Sequence, residues 1–267
     1  MLTFIKTKKK LLILLSAGLL AAGLLAGCGS SGSSGSQPTA TPKVLRVGSE
    51  TTFPPFEFVD NNNKFVGFDI DIADALAKKM GYKMEFKSMG FDALIPALRS
   101  GDIDMIAAGL NATPERAKVV AFSDVYFNEG GYTVIVKKTN TDITGFDTLN
   151  GKTIGAQIGT VPADMAKAVP GSTVKEIDSN AQLFNELNAG TIDAIIIDRA
   201  VGMYYLKQGA DKDMKIVGEP TKSTGTVLAF RKDDKELVDK ANQALKEMRA
   251  DGTYQKIYDK WFGASGK

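Results

Sequence analysis

The sequence predicts an α/β protein made of two similar lobes, and two observations support this prediction. Strand and helix patterns alternate along residues 44–262, which is typical of α/β folds with mostly parallel sheets. A helix–glycine–strand unit also occurs twice, in residues 94–106 and 183–195, with a constant offset of 89 residues. The repeat favours two lobes of one design over the chance recurrence of a common unit.

The individual elements follow from apolar periodicity. Helices show apolar residues at i, i+3, i+4 and i+7, whereas buried strands are short continuous apolar runs. An amphipathic helix from Asp69 to Met80 is expected to end at Gly81, a usual helix terminator. The predicted strands are 44–47, 105–108, 154–156, 194–197 and 227–230, and the further helices include 91–98, 237–248 and 254–261.

Composition limits the possible functions. The chain has 267 residues, of which 43% are hydrophobic and 24% charged, enough for one large domain or two small ones. It contains one Cys and no His, which excludes an intramolecular disulfide, a multi-Cys metal site and every catalytic arrangement that uses His. We therefore expect no catalytic residues, no metal site and no cofactor, and a protein that binds rather than catalyses.

The net charge gives no reason to expect a nucleic-acid partner. The formal value of +2 includes four lysines within the first ten residues. Without residues 1–27, 29 basic side chains face 31 acidic ones. A slightly acidic protein has no electrostatic attraction to a polyanion.

Residues 1–27 are predicted to be a lipoprotein signal peptide. A basic start, an apolar run from Leu11 to Ala26 and small residues before Cys28 are typical of a secretory signal. The alternative is a membrane-spanning helix, but the run has only about 16 residues, and roughly 20 are needed to cross a bilayer.

Leu25-Ala26-Gly27-Cys28 resembles the bacterial lipobox. The resemblance implies cleavage before Cys28 and acylation of its thiol and usually of the new N-terminus, which would anchor the protein to the cell membrane. Residues 28–43 are rich in Gly and Ser and contain Pro38 and Pro42, so they are predicted to be a flexible tether. The folded part is then expected on the extracytoplasmic face of the membrane.

Two positions related by the repeat end buried strands. Ligands of open α/β sheets bind outside the carboxyl ends of strands, so Gly109 and Asp198 are expected to face one cleft. A carboxylate at that place needs a partner. A ligand ammonium is one possibility, and a salt bridge with Arg199 or Arg231 is the other.

Arg116 is the second charged candidate. Thr113 and Pro114 suit the N-cap and first position of a helix, which places Arg116 in its first turn, where the helix dipole disfavours a cation. Such an Arg makes sense if it binds a carboxylate, and the alternative is a solvated surface residue. Together with Asp198, it would fit the zwitterion of an α-amino acid.

Several segments resemble the polar amino-acid family of solute-binding proteins that serve ATP-driven importers. They are residues 47–58, 67–71, 91–98, 113–116, 121–124, 251–254 and 260–262. The resemblance implies the periplasmic-binding-protein fold, in which two α/β lobes are joined by two hinge strands. Lobe 1 would comprise residues 44–131 plus 226–262, and lobe 2 residues 132–225. The implied partners are a free amino acid and the membrane permease of an ABC importer, and we expect a monomer.

The resemblance also implies a set of ligand contacts. Arg116 would bind the ligand carboxylate and Asp198 its ammonium, while Phe53 and Phe91 would enclose the ligand side chain. Backbone groups would assist at four positions, which are Ala108, Gly109, Asn111 and Thr160. The polar side chains of Glu50 and Gln157 would face the far end of the ligand.

Arginine, or another basic amino acid, is the first expectation for the ligand. Two aromatic faces and the Glu50 carboxylate suit a flat cation. Glutamine or another polar amino acid is the alternative, because Glu50 and Gln157 can hold an amide. Asn111 replaces a usual Ser or Thr, and Glu50 an often-found Asp. Glu57 is a candidate second carboxylate, but solvent exposure is the favoured interpretation of that residue.

Two other functional classes stay open. Some dehydratases of cyclic acids resemble this family, and such an enzyme would need a general acid in the cleft, for which Glu50 is the candidate. The other class is a sensor domain that signals to a membrane partner. We expect the transport receptor rather than either of these.

Overall fold

Two five-stranded sheets, each with helices on both faces, organise the part of the chain that the computed structural model describes, residues 43–128 and 130–263. The predicted signal peptide, the Cys28 anchor and the tether up to residue 42 lie outside these residues. In the described part, no helix is long and apolar enough to cross a membrane.

The chain order alternates strands and helices as predicted. The strands are β1 Lys43–Ser49, β2 Thr52–Phe53, β3 Glu57–Val59, β4 Phe65–Val66, β5 Tyr82–Ser88, β6 Met105–Ile106, β7 Val120–Phe122, β8 Tyr132–Lys137, β9 Thr153–Gln157, β10 Thr173–Ile177, β11 Ala194–Asp198, β12 Met214–Thr221 and β13 Ala229–Arg231. The helices are α1 Phe68–Lys79, α2 Phe91–Ser100, α3 Pro114–Ala117, α4 Val161–Ala168, α5 Asn180–Ala189, α6 Arg199–Lys207, α7 Lys235–Ala250 and α8 Thr253–Phe262, with short 3₁₀ helices at Phe146–Thr148 and Ala210–Lys212. Lys43, predicted as the last residue of the tether, is therefore the first residue of β1.

The two large sheets share one topology. Their strand orders are β5-β1-β6-β13-β7 and β10-β9-β11-β8-β12. In each sheet the fourth strand, β13 or β8, is antiparallel to both of its neighbours, and the remaining four strands run in one direction. The expected mostly parallel sheets are therefore found with one reversed strand each. A small antiparallel sheet of β2, β3 and β4 is separate from both.

The chain crosses from the first large sheet to the second and later crosses back. We call the part with the first sheet lobe 1 and the part with the second sheet lobe 2; their strands lie in residues 43–122 plus 229–231, and in 132–221. Phe127 and Asn111 each form an isolated β-bridge with Thr226 where the chain crosses. The fold is therefore the expected two-lobed one, whereas the residue boundaries of the lobes stay a prediction.

Neighbouring residues of the central strands belong to cores on opposite faces of the sheet. Met105 packs with the cluster that includes helices α1 and α7, and Ile106 packs with the cluster of α2. In lobe 2, Ile195 and Ile196 divide in the same way. A strand buried on both faces must be apolar at every position, which explains the continuous apolar runs in the sequence.

The internal repeat is confirmed as a structural repeat. Helices α2 and α5 begin 89 residues apart and each ends at a glycine, Gly101 or Gly190, with a φ of 83° or 78°. This left-handed conformation is the usual way to close a helix with glycine. The strands β6 and β11 then begin at equivalent positions.

A close backbone approach is also repeated. A Cβ atom on Gly48 of β1 would lie 2.4 Å from Ile103 Cδ1, and one on Gly155 of β9 would lie 2.5 Å from Ile192 Cδ1. Each glycine thus lets its strand, β1 or β9, pack under the turn that follows α2 or α5. Both lobes bury their repeated unit in the same way.

We expect Gly48→Ala to lower the free energy of unfolding by about 1–3 kcal/mol, because the new methyl group overlaps Ile103. Ile103→Val alone should cost about 0.5–1.5 kcal/mol through the lost methyl group. In the double variant that methyl is absent, so the combined cost should be smaller than the sum. Urea denaturation of the three variants measures this coupling, and strictly additive costs would show that the contact is not the cause.

Candidate functional site

Nine of the ten residues predicted to bind a ligand line one narrow cavity between the lobes. The tenth, Glu50, lies outside the lining, and Val161 and Pro162 complete it. The nine are Phe53, Phe91, Ala108, Gly109, Asn111, Arg116, Gln157, Thr160 and Asp198. The fold therefore brings together residues that are spread over almost 150 positions of sequence.

The strand ends that the repeat relates meet at this cavity. Gly109 follows β6 in lobe 1, and Asp198 is the last residue of β11 in lobe 2. Gly109 has a φ of 57°, and a Cβ on it would lie 2.4 Å from Phe53 Cε1. A glycine is thus required for both the turn and the packing of the Phe53 ring.

Arg116 joins the two lobes. Its backbone N–H donates to the Thr113 side chain, which caps α3 as predicted. Its guanidinium donates to the carbonyls of Asn111 at 2.8 Å and of Gly159, in lobe 2, at 2.9 Å. The Phe91 ring centroid lies 5.3 Å from Arg116 Cζ. The side chain is half-buried and hydrogen-bonded, so the solvated-surface alternative does not hold.

Asp198 has no ion-pair partner within 4.0 Å among the described residues. It is the N-cap of α6, yet its carboxylate does not accept a capping bond from that helix. Arg231 pairs instead with Asp104 and Asp234. Burial raises the pKa of Asp198 to about 7. A nearby cation would stabilise the ionised form of such a buried carboxyl group, so the position suits a positively charged ligand group.

Glu50 is buried and only half satisfied. Its Oε1 accepts the backbone N–H of Thr52 at 2.7 Å and also the Thr52 hydroxyl, whereas its Oε2 has no hydrogen-bond partner. Burial raises the pKa of Glu50, and the hydrogen bonds from Thr52 oppose that rise. Glu50 thus stands beside the predicted site with one acceptor oxygen unused.

The side chains of Asn111 and Gln157 are largely occupied within the protein. Asn111 Nδ2 donates to Ser223 Oγ and its Oδ1 accepts from the Tyr132 hydroxyl, each at 3.1 Å. Gln157 Nε2 donates to the carbonyl of Asp178 at 2.9 Å. Asn111 therefore ties the cavity to the crossing segments, and its backbone is the part left for a ligand.

The N-terminus of α4 is a feature that the sequence analysis missed. Thr160 caps this helix by accepting from the N–H of Ala163, and Val161 and Pro162 line the cavity. The sequence does indicate this helix start. Thr160 and Pro162 combine an N-cap residue with a proline in the first turn, as Thr113 and Pro114 do at the start of α3. The eight residues of α4 direct a longer helix dipole at the cavity than the four of α3 do.

The expectation that Glu57 is solvent-exposed is wrong. Its exposed fraction is 0%, both carboxyl oxygens lack a hydrogen-bond partner, and it does not line the cavity. Glu57 is the first residue of β3, whose backbone approaches the turn at Gly67, where a Cβ would lie 2.8 Å from Glu57 Cα. Burial raises the pKa of Glu57 well above its usual value, with Asp69 as the nearest negative neighbour. The described residues contain no cluster of His, Cys, Asp or Glu placed to hold a metal ion.

Residues 45–264 match the family model for bacterial extracellular solute-binding proteins, family 3, and the chain belongs to this family. It is 40% identical over 258 residues to the arginine-binding extracellular protein ArtP of Bacillus subtilis (strain 168), covering 95% of this chain and 98% of ArtP.

Two solved structures are similar in fold and sequence. An ancestral arginine-binding protein bound to arginine matches with a TM-score of 0.80 and 49% identity, over 82% of this chain and 98% of that one. An ancestral arginine-binding protein bound to glutamine matches with a TM-score of 0.78 and 48% identity, over 84% of this chain and 99% of that one. The family and fold expected from the sequence are thus confirmed.

The raised pKa of Asp198 predicts a pH-dependent stability without ligand. Because the folded state favours the protonated carboxyl, its contribution falls as the pH rises from about 4 to about 7 and is constant above that. Asp198→Asn should lack this fall, so its stability relative to wild type should increase over that range. Denaturant unfolding from pH 4 to 8 measures the difference.

Asp104 is the matched control with the opposite sign. Burial raises its pKa, but the hydrogen bonds from Arg46 and Arg231 lower it overall. Asp104→Asn should therefore become less stable relative to wild type as the pH rises through the acid range to about 4, the ordinary pKa of Asp, and stay so above that. A pH-independent difference for Asp198→Asn would contradict the assigned state of that carboxyl.

Proposed function

We propose that this chain is the extracytoplasmic receptor of an ABC importer and captures arginine, or another basic amino acid, as a zwitterion between its lobes. The observation that carries the proposal is Glu50. A buried carboxylate with an unused oxygen beside the cavity needs a cation. A basic ligand side chain supplies that cation, and a neutral one does not.

The two ends of the α-amino acid group have matching partners. Arg116 uses two N–H groups for carbonyls, and three of its five donors are left for a carboxylate. Asp198 has no ion-pair partner among the described residues and suits an ammonium group. The N-terminus of α4 adds a positive dipole end beside Thr160.

Charge balance favours a basic ligand. Arg116 carries one positive charge, and Glu50 and Asp198 together carry two negative charges when both are ionised. A basic amino acid with a net charge of +1 neutralises this group, whereas a neutral amino acid leaves one buried charge uncompensated. The rings of Phe53 and Phe91 line the same cavity and suit a flat guanidinium.

Glutamine is the second candidate. It is supported by the likeness to an ancestral arginine-binding protein whose structure holds glutamine. The side-chain amide would place its N–H groups toward Glu50 Oε2. We rank it below arginine because it leaves the charge of the site unbalanced.

The proposal includes that the chain is not an enzyme. Burial raises the pKa of Glu50, the candidate general acid, but the two hydrogen bonds that its Oε1 accepts from Thr52 oppose this rise and so work against the protonated form that a general acid needs. The relatives named above are binding proteins. Turnover of prephenate or arogenate by the purified chain would overturn this part of the proposal.

The mechanism is closure of the lobes over the ligand. Because Arg116 lies in lobe 1 and Asp198 in lobe 2, a ligand that binds both stabilises the closed state and shifts the population toward it. The closed receptor, a monomer anchored through Cys28, would then deliver the amino acid to a membrane permease.

Glu50→Gln tests the ligand. We expect the affinity for L-arginine to fall by about 2–5 kcal/mol, roughly 30-fold or more, because the buried cation loses its partner charge. The affinity for L-glutamine should change by only a few fold. Calorimetric titration with both ligands measures the two losses.

Glu57→Gln is the matched control for Glu50→Gln. It removes a neighbouring carboxyl group that is buried outside the cavity, so both affinities should stay near those of the wild type. Equal losses for arginine and glutamine in Glu50→Gln would refute the basic ligand.

Cys28→Ser tests the proposed anchor. A serine hydroxyl does not replace the thiol in lipid attachment, so the variant should leave the membrane fraction while its ligand affinity is unchanged. Cell fractionation and labelling with palmitate measure attachment. Unchanged membrane association with no incorporated label would show that Cys28 is not the anchor.

A further inference from the structure

Thr52 connects the lobes without belonging to the predicted site. It is the first residue of β2 and does not line the cavity. Its hydroxyl donates to Glu50 Oε1 and accepts the backbone N–H of Asn180 at 3.0 Å. Its carbonyl accepts the Tyr205 hydroxyl at 3.1 Å. One residue of lobe 1 thus contacts Glu50 and two helices of lobe 2.

The direction of these hydrogen bonds is fixed by chemistry. The N–H of Asn180 can only donate, so the Thr52 oxygen accepts there. The single hydroxyl proton of Thr52 then points to Glu50 Oε1, which accepts it. Both hydrogen bonds thus have the same direction: the Asn180 N–H donates to the Thr52 hydroxyl, which donates to Glu50.

This contact also completes helix α5. Asn180 is the first residue of α5, and its N-cap Ser179 makes no side-chain capping bond. The first N–H groups of a helix need acceptors from outside the helix. Thr52 supplies one from the other lobe, and the positive end of the α5 dipole then lies one hydroxyl away from Glu50.

The contact requires closed lobes. Helices α5 and α6, which carry Asn180 and Tyr205, pack on the strands of lobe 2, whereas Thr52 and Glu50 belong to lobe 1. When the lobes separate, Thr52 loses both helices and its hydroxyl is free to turn away from Glu50. The Thr52 hydroxyl bond to Glu50 is therefore held in place by closure, whereas the Thr52 backbone N–H donates to Oε1 within lobe 1.

We propose that Thr52 is a positioning and specificity-determining residue, which couples closure of the lobes to the ionised state of Glu50 and so favours ligands with a cationic side chain. This inference rests on the proposed function of the cavity. A cationic ligand and lobe closure each stabilise the same carboxylate, so each strengthens the other. A neutral ligand gains closure but not the charge contact.

The variants Thr52→Val and Thr52→Ser of the full-length chain separate hydroxyl from shape. Valine has nearly the shape of threonine without the hydroxyl, and serine keeps the hydroxyl. Calorimetry with L-arginine should show a loss of roughly 10- to 100-fold for Thr52→Val, the effect of a hydrogen bond to a charged group. The loss for L-glutamine should be smaller, and Thr52→Ser should stay within a few fold of wild type.

A pH series provides a readout that a merely structural role would not change. The Thr52 hydrogen bonds lower the pKa of Glu50 against its burial, so without the hydroxyl Glu50 should protonate at higher pH. The loss of arginine affinity on lowering the pH, which we call the acid limb, should therefore begin at a higher pH in Thr52→Val. The titratable neighbours Glu57, Tyr205 and Asp198 all have raised pKa values, and Thr52 is not among the groups that set the pKa of Asp198.

Tyr205→Phe provides a comparison that spares the carboxylate. It removes only the bond to the Thr52 carbonyl, so it should weaken arginine and glutamine equally and leave the acid limb in place. Its result stands even if Thr52→Val proves unstable on heating. A shifted acid limb in Tyr205→Phe would contradict the assignment of the charge effect to the hydroxyl.

Two results would overturn the role of Thr52. One is a Thr52→Val variant with the arginine affinity and pH profile of wild type. The other is an equal loss in Thr52→Val and Thr52→Ser, which would assign the effect to packing. Both differ from failure of the proposed function, which would appear as a wild-type chain that does not bind L-arginine.

Discussion

The main physical constraint on this structure is that ionisable side chains approach the cavity without an ion-pair partner. Arg116, Glu50 and Asp198 approach one cavity, and none forms an ion pair within 4.0 Å among the described residues. Removing such groups from water costs several kcal/mol each unless another charge compensates. If the lobes close over a ligand as proposed, a ligand of matching charge offsets this cost, whereas water alone does not. Under that proposal, the ligand specificity and the closure of the lobes have the same physical origin.

The repeated fold is what brings these charges together. Each lobe places the carboxyl end of a central strand at the cavity, Gly109 in lobe 1 and Asp198 in lobe 2. The glycine that opens the way to the backbone and the carboxylate that offers a charge are equivalent positions of one unit. At equivalent positions of the repeated unit, lobe 1 thus presents backbone groups and lobe 2 presents a side chain.

The sequence predicted the parts of this arrangement that depend on local pattern. Strand β11 and helix α2 follow from apolar periodicity, and the cap at Thr113 follows from residue type. The prediction for Glu57 is wrong because the burial of its side chain depends on tertiary packing, which no periodicity records. Thr52 was missed for the same reason, since its partners lie more than 120 positions away.

The buried acids behind the cavity decide whether the charge balance holds. Asp69 Oδ2 accepts the N–H of Gly109 at 2.7 Å and so fixes the loop that faces the ligand. Burial raises the pKa of Asp69 to about 6 and that of Glu57 well above its usual value. Because burial favours the uncharged form of Glu57, this carboxyl group adds less negative charge behind the cavity than an exposed one would. Under the proposed function, Glu50 is then the carboxylate that selects the ligand side chain.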